Sequence, residues 1–149
     1  MTTTMRQIDR LPVRQFAKYC AVGVLNTAVT LGVIFVCKSV LGVNPYVSNM
    51  LGYVAGIINS FFWNKVWVFR SHNGYRAEGL RFALGFGICY ALQFALVWSL
   101  TQSAFGSEEY DLGIFVISGY GIATLLGNVL YTICNFLFNK LITFTSQKP

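Results

Sequence analysis

The sequence predicts an all-α, polytopic membrane protein with four transmembrane helices. Three observations predict this fold class: 55% of the 149 residues are hydrophobic, only 11% are charged, and four long windows contain no Asp, Glu, Lys or Arg. A soluble domain carries about 25% charged residues, and a spanning helix needs about 20 apolar residues. The uncharged windows cover residues 19–37, 39–64, 82–107 and 112–139. We therefore expect one membrane domain over residues 1–149.

The windows and their flanks predict the order of spans and loops. We expect spans at 16–40, 46–68, 80–104 and 113–138, a cytoplasmic tail at 1–13, a cytoplasmic loop at 69–79, outer loops at 41–45 and 105–112, and a C-terminal tail at 139–149. The first apolar run is longer than that of a signal peptide, and no A-x-A-like cleavage site follows it. We therefore expect it to remain as the first span.

The basic residues predict the orientation. The net charge is +6, and ten of the eleven Lys and Arg residues lie before the first uncharged window, between the second and third windows, or after the fourth; only Lys38 lies elsewhere. The positive-inside rule then places both termini and the central loop in the cytoplasm. A bias of this strength favours a single fixed orientation over dual topology.

Two similar segments close spans two and four. The stretch NSFFWNKVWVF at 59–69 is matched 75 residues later by CNFLFNKLITF at 134–144, which aligns Asn64-Lys65 with Asn139-Lys140. Gly52 aligns with Gly127 at the same offset. Each predicted hairpin begins and ends on the cytoplasmic side, so the chain is expected to contain two parallel helix-hairpin repeats.

Helical spacing places polar residues on one face of three spans. Polar amides that face lipid leave hydrogen bonds unmet, so we expect these faces to point inward. Two interpretations stay open: hydrogen bonding between helices, or a hydrated lining. Span four carries the longest polar row. The residues in question are Asn26 in span one, Asn59 in span two, and Thr124, Asn128, Tyr131, Asn135 and Asn139 in span four.

Catalysis and energy coupling have little support in the sequence. No predicted span contains a carboxylate or a histidine, which a proton-coupled exporter needs within the membrane. No G-x-x-x-x-G-K-[ST] motif is present, and the four cysteines lack metal-ligand spacing. We therefore expect no enzyme activity, no cofactor, no metal site and no nucleic-acid partner.

The Asn-Lys pairs indicate a binding site for an anion at the cytoplasmic interface. Lysine contributes a point charge and asparagine contributes neutral donors, so the two pairs could hold a phosphate. The alternative is that each lysine only anchors its helix at the membrane surface. The predicted substrate-binding residues are Lys65, Lys140, Asn64, Asn139, Asn26, Asn59, Asn128, Asn135, Arg14, Lys18, Arg81 and Trp63.

The sequence resembles the GtrA-like family over residues 14–144. The resemblance is carried by FAKYCAVGVLNTAVT, with Gly23 and Asn26, and by SFFWNKVWVF, with Asn64, Lys65 and Trp67. It implies a four-span protein of the bacterial inner membrane. It also implies translocation of polyprenyl-phosphate-linked sugars from the cytoplasmic to the outer leaflet, where the sugar decorates surface polysaccharides.

The expected function is therefore that of a flippase, or a flippase subunit, for a polyprenyl-phosphate-linked sugar in a lipid membrane. Two alternatives stay open: a membrane scaffold for a glycosyltransferase, and a small multidrug-type exporter. Four short helices enclose little space, so a homo-oligomer is expected, with Gly52 and Gly56 as candidate contacts between protomers.

Overall fold

The computed structural model describes residues 2–103, 108–111, 113 and 116–145, with side chains from Val13 onward. Half of the predicted outer loop at 105–112 and the chain beyond Thr145 lie outside these residues. Within the described part, four α-helices and one pair of strands follow one another: α1 (Thr2–Phe35), α2 (Pro45–Trp63), α3 (Tyr75–Gln102), β1 (Glu109–Asp111), β2 (Val116–Ser118) and α4 (Gly119–Phe138).

The protein is a mostly helical membrane protein. Among the described residues, three helical segments are long and apolar enough to cross a membrane: Val13–Val40, Tyr75–Gln102 and Gly119–Thr143. The 19-residue helix α2, where we expected the second span, is not among them. The second span therefore remains a prediction.

The strand pair differs from the all-α prediction. β1 and β2 pair antiparallel, with Glu109 opposite Ser118. Gly113 permits the turn between them because its φ of 79° suits glycine, and its N–H donates to the Asp111 carboxylate at 2.7 Å. Helix α4 consequently begins at Gly119 rather than near 113. Hydropathy alone could not distinguish a short strand at 116–118 from the first turn of a longer helix, since a short apolar run suits a strand as well as a helix.

The chain divides into two compact units, and in unit 1, which contains Met1–Asn73, α1 packs against α2. Two buried glycines of α2 allow close approach. A Cβ atom at Gly52 would lie 2.9 Å from the backbone oxygen of Thr30, and one at Gly56 would meet the Thr30 hydroxyl. We expected these glycines to contact a second protomer, but they pack inside their own hairpin.

Unit 2, Gly74–Thr145, contains α3, the strand pair and α4. Gly127 of α4 faces α3, because a Cβ atom there would lie 2.6 Å from a methyl carbon of Val97. At the other end of the hairpin, the rings of Phe82 and Phe144 lie 6.2 Å apart between centroids. Close approach at a small residue and contact between aromatic rings therefore hold α3 against α4 and the turn that follows it.

Both Asn-Lys segments form the same local structure. Helices α2 and α4 each end in a π-helical turn, Asn64–Val68 and Asn139–Thr143. The N–H of Phe69 donates to the Asn64 carbonyl at 2.9 Å, and the N–H of Phe144 donates to the Asn139 carbonyl at 2.9 Å. π-turns are rare and occur often at functional sites. The likeness in sequence thus extends to backbone geometry.

Candidate functional site

The candidate site is an open, basic pocket in unit 1. It lies where the apolar part of α1 begins and the π-turn after α2 ends, and its volume is about 410 Å³. Three of its lining residues are cations, and none of the described lining residues is acidic. We call it the basic pocket; it is lined by Arg14, Gln15, Lys18, Val68, Phe69 and Arg70.

Helix α1 supplies two of the cations. Arg14 and Lys18 are one turn apart at i and i+4, so they share a face. The side chain of Gln15 donates from Nε2 to the Val68 carbonyl at 3.3 Å, which ties α1 to the end of the π-turn. The Lys18 Nζ lies 5.2 Å from the centroid of the Trp67 ring, a cation–π distance that fixes the ammonium near the pocket.

The third cation, Arg70, was missed by the sequence analysis. Its φ is 51°, in the left-handed region that non-glycine residues rarely occupy. The backbone is held there because the next N–H, that of Ser71, donates to the Lys65 carbonyl at 2.9 Å. This bend brings Arg70 into the pocket lining. Its position after an aromatic helix end was visible in the sequence, but its backbone conformation was not.

The predicted pair Asn64 and Lys65 lies inside unit 1 and is not part of the pocket lining. Lys65 is 2% exposed, and its Nζ donates to the Asn73 carbonyl at 2.6 Å. Asn64 is 1% exposed, and its Nδ2 donates to the Ser60 carbonyl at 2.8 Å. The Oδ1 of Asn64 has no hydrogen-bond partner among the described residues. The atom left for a ligand is thus an acceptor, which does not suit a phosphate.

The corresponding pair in unit 2 has a similar amide arrangement. Asn139 is fully buried, and its Nδ2 donates to the Oδ1 of Asn135 at 3.3 Å. Asn135 in turn donates to the Tyr131 hydroxyl at 3.3 Å. The Oδ1 of Asn139 again lacks a partner in the described part of the chain. Lys140 differs from Lys65, since it is only half-buried and its Nζ lies 5.8 Å from the Phe136 ring centroid.

Three further predicted site residues, Asn26, Asn59 and Asn128, make hydrogen bonds between helices. The Nδ2 of Asn59 donates to the Oδ1 of Asn26 at 2.6 Å, which joins α2 to α1. The Nε2 of Gln93 donates to the Oδ1 of Asn128 at 2.9 Å, which joins α3 to α4. Hydrogen bonds between amides of neighbouring helices are a common stabilising contact in membranes. These residues therefore serve at least a packing role.

The remaining predicted residues are exposed. Arg81 lies on the outer face of α3, and Trp63 is 37% exposed with its ring 6.4 Å from that of Trp67. The sequence analysis also overlooked Glu78, which it assigned to a loop. The structure places this carboxylate in the first turn of α3, completely buried. Among the described residues, no cluster of three or more His, Cys, Asp or Glu could hold a metal ion.

These features define a multi-pass helical membrane protein whose two hairpin units each end in an Asn-Lys π-turn, with a cationic pocket beside one of them. The chain belongs to the family described as "GtrA/DPMS, transmembrane domain", whose pattern matches residues 18–147.

Three relatives are similar over most of the chain. One, named "Cell wall teichoic acid glycosylation protein GtcA", from Listeria innocua, is 26% identical over 99% of this chain and all of its own length. Another is the "Prophage bactoprenol-linked glucose translocase homolog" of Escherichia coli K12, 26% identical over 89% of this chain and 97% of its own. The "Bactoprenol-linked glucose translocase" of Shigella phage SfX has the same identity and coverage.

Proposed function

We propose that the protein is a flippase, or a flippase subunit, that moves a polyprenyl-phosphate-linked sugar from the cytoplasmic to the outer leaflet. The sugar then serves cell-surface polysaccharide glycosylation. Family membership supports this proposal, as do the names of the relatives, two of which refer to translocation of bactoprenol-linked glucose and one to teichoic acid glycosylation.

The basic pocket is the observation that carries the proposal. Two arginines and one lysine face a pocket with no described acidic residue in its lining, so the local potential favours an anion. Guanidinium groups bind phosphate oxygens through two parallel N–H donors, and these charged hydrogen bonds are the strong ones. A lipid-linked phosphate offers such oxygens while its hydrocarbon tail stays in the membrane.

The position of the pocket along the chain fits the entry of a cytoplasmic lipid. Arg14 and Lys18 lie near the start of the first candidate span, Val13–Val40, and Arg70 follows the second helix. The basic end of a hairpin lies on the cytoplasmic side by the positive-inside rule. We infer that the phosphate is bound in this pocket first. We also infer that Lys65 stabilises the conformation of residues 65–73, which include Arg70, through its hydrogen bond to the Asn73 carbonyl.

The finer topology forms part of the proposal. We propose four spans arranged as two parallel hairpin repeats, both termini in the cytoplasm, in a bacterial inner membrane. Helix α2 has 19 residues, which at about 1.5 Å per residue extend about 28 Å, close to the thickness of a hydrocarbon core of about 30 Å. We also propose a homo-oligomer, since four helices enclose little space for a sugar.

No chemical step or nucleotide is required in this proposal. Transport would run downhill because a glycosyltransferase on the outer side consumes the delivered sugar. Such an enzyme is the expected membrane partner. The role of the chain itself is to bind the phosphate and to lower the cost of moving a hydroxylated headgroup through the membrane, where lost hydrogen bonds to water must be replaced.

The test is transport by the purified protein in lipid vesicles. A short-chain polyprenyl-phosphate glucose carrying a fluorophore is placed in both leaflets, and its accessibility to a membrane-impermeant quencher is followed. The variant Arg14→Gln/Lys18→Gln is compared with Lys38→Gln/Arg76→Gln, which also removes one Arg and one Lys. Topology and expression are checked for each protein.

We expect the wild-type protein to accelerate transbilayer movement and the pocket variant to be slower than the control variant by at least about tenfold, since two charged hydrogen bonds are lost. A wild-type protein that moves no lipid would contradict a flippase working alone. If movement then appeared only with a glycosyltransferase present, the protein would be a flippase subunit, and if no movement appeared in either case, the scaffold alternative would replace the flippase. Coupled proton flux would instead support the exporter alternative.

A further inference from the structure

A second pocket lies in unit 2, between the second half of α3 and the first half of α4. Its volume is about 370 Å³, and no charged residue is among the described residues that line it. It lies toward the strand pair, at the opposite end of the hairpin from Lys140. We call it the aromatic pocket; the residues that matter here are Tyr90, Gln93, Trp98, Thr101, Tyr120 and Thr124.

Three aromatic side chains carry hydrogen-bond donors that have no partner among the described residues. Tyr90, Trp98 and Tyr120 are 55%, 58% and 60% exposed. Neither tyrosine hydroxyl nor the indole N–H makes a hydrogen bond to a described residue. In a bilayer core no water is available to such groups, and an unmet donor costs several kcal/mol. A ligand at this depth would be stabilised by these donors.

An interfacial aromatic belt does not explain the whole set. Trp and Tyr do collect where a helix leaves the hydrocarbon, and Trp98 and Tyr120 could lie there. Tyr90, however, precedes Gln102, the last residue of α3, by 12 positions, which is about 18 Å along the helix axis. Gln93, an amide, lies only one turn closer to that end. These two polar residues are too deep for a belt.

The pocket also offers oriented acceptors. The hydroxyl of Thr101 donates to the Val97 carbonyl at 2.9 Å, and that of Thr124 donates to the Tyr120 carbonyl at 2.8 Å. Their protons are therefore used within their own helices, and their oxygens remain as acceptors. The Nε2 of Gln93 donates to Asn128, which fixes the amide and leaves its Oε1 as a further acceptor.

Donors and acceptors together select the class of ligand. A phosphate only accepts hydrogen bonds, so it cannot satisfy the threonine oxygens or the Gln93 carbonyl. A sugar hydroxyl both donates and accepts, and the apolar faces of a pyranose ring suit contact with aromatic rings. The absence of charge among the described lining residues excludes electrostatic selection for an ionic headgroup at this place.

We propose that the aromatic pocket binds the uncharged sugar of a glycolipid. This inference rests on the proposed function for the identity of the natural ligand, but sugar binding itself can be measured without transport. The pocket would replace the water around the sugar. It is thus a specificity site for the sugar, separate in chemistry from the basic pocket.

Trp98 provides the reporter for the test. In the variant Trp63→Phe/Trp67→Phe it is the remaining tryptophan of the chain. This protein is placed in phospholipid nanodiscs and titrated, below micellar concentrations, with n-octyl β-D-glucoside. The comparison amphiphile is tetraethylene glycol monooctyl ether, which has the same alkyl chain and no sugar. We expect a saturable change in Trp98 fluorescence with the glucoside and no saturable change with the ether.

Variants of the pocket sharpen the test. Tyr90→Phe and Thr124→Val, made separately in the reporter protein, should each raise the half-saturating concentration by about threefold to tenfold, as loss of one hydrogen bond predicts. The matched control is Tyr53→Phe, which removes one hydroxyl from an exposed tyrosine of α2 and should leave it unchanged. Thermal midpoints of all variants are measured to confirm folding.

The outcomes separate this inference from the proposed function. Equal responses to the two amphiphiles, or equal effects of Tyr90→Phe, Thr124→Val and Tyr53→Phe, would refute a sugar site, even if vesicle transport still depended on Arg14 and Lys18. A saturable, pocket-dependent response to the glucoside in a protein that moves no lipid would support the sugar site and refute the flippase.

Discussion

Replacing Arg70 by glycine should stabilise the protein and weaken phosphate binding at the same time. The left-handed backbone, with a φ of 51°, costs a non-glycine residue about 1–2 kcal/mol. Glycine removes that cost but loses about 0.5–1 kcal/mol through the greater freedom of its unfolded chain. The net stabilisation is about 0.5–1 kcal/mol. Relief of repulsion among the three cations of the basic pocket acts in the same direction.

Binding should change in the opposite direction. A charged hydrogen bond from an arginine to a phosphate is worth about 1.5–3 kcal/mol, so Arg70→Gly should weaken binding by about tenfold or more. The assay is calorimetric titration of the protein in nanodiscs with citronellyl phosphate, a short isoprenoid phosphate. Citronellol, which lacks the phosphate, reports the contribution of the hydrocarbon alone. Stability is measured from thermal unfolding of the same samples.

Two control variants make the result specific. Arg76→Gly removes the same charge from an exposed position in the first turn of α3, where glycine weakens a helix; it should leave phosphate binding unchanged and should not stabilise. Arg70→Lys keeps the charge and the backbone cost, so it should not stabilise either. Unchanged phosphate affinity in Arg70→Gly would refute the role of Arg70, and lower stability would refute the strained backbone.

Three further predictions concern parts outside the basic pocket. Lys65→Met should lower the free energy of unfolding by about 1.5–3 kcal/mol because it removes a buried charged hydrogen bond to the Asn73 carbonyl, whereas Lys140→Met should cost under about 1 kcal/mol; equal losses in denaturant titrations would contradict this difference. Gly127→Ala should destabilise by about 1–3 kcal/mol, since its Cβ would lie 2.6 Å from Val97, while Gly87→Ala, with nothing within 4 Å, should be neutral or stabilising; thermal unfolding checks the sign of each change. In a protein without its native cysteines, single cysteines at Thr124 and Asn128 should react with a small hydrophilic thiol reagent, and one at Asn135, which is 5% exposed, should not. Labelling at Leu126, an exposed apolar position of the same helix, sets the background, and labelling at position 135 equal to that at 124 and 128 would contradict the burial of this side chain.

The class of fold could be predicted because it depends on composition. Long uncharged windows predicted helical spans, and three such segments occur in the described structure. The strand pair could not be predicted, since its strands are three residues long and follow no distinctive pattern. The Asn-Lys repeat predicted that α2 and α4 end in similar structures, and both helices do end in a π-turn. No feature of the amino-acid sequence predicted that this turn would be a π-turn and not an α-turn.

The site was only partly visible in the sequence. Arg14 and Lys18 were named because helical spacing brings them together, and both line the basic pocket. Arg70 was missed because its inclusion depends on a positive φ set by hydrogen bonding of the 65–71 segment. Lys65 was expected to face the headgroups, but burial depends on how the loop folds back over the side chain, which no local pattern records. The burial of Glu78 could not be predicted either, because it also depends on how distant parts of the chain pack around the side chain.

The location of the phosphate of a bound substrate tests the central claim most directly. The measurement is a high-resolution structure of the protein in nanodiscs with a short-chain polyprenyl-phosphate glucose. The account predicts phosphate density within hydrogen-bond distance of at least two of Arg14, Lys18 and Arg70. Phosphate density beside Lys140, or ordered substrate with no phosphate contact in the basic pocket, would contradict it.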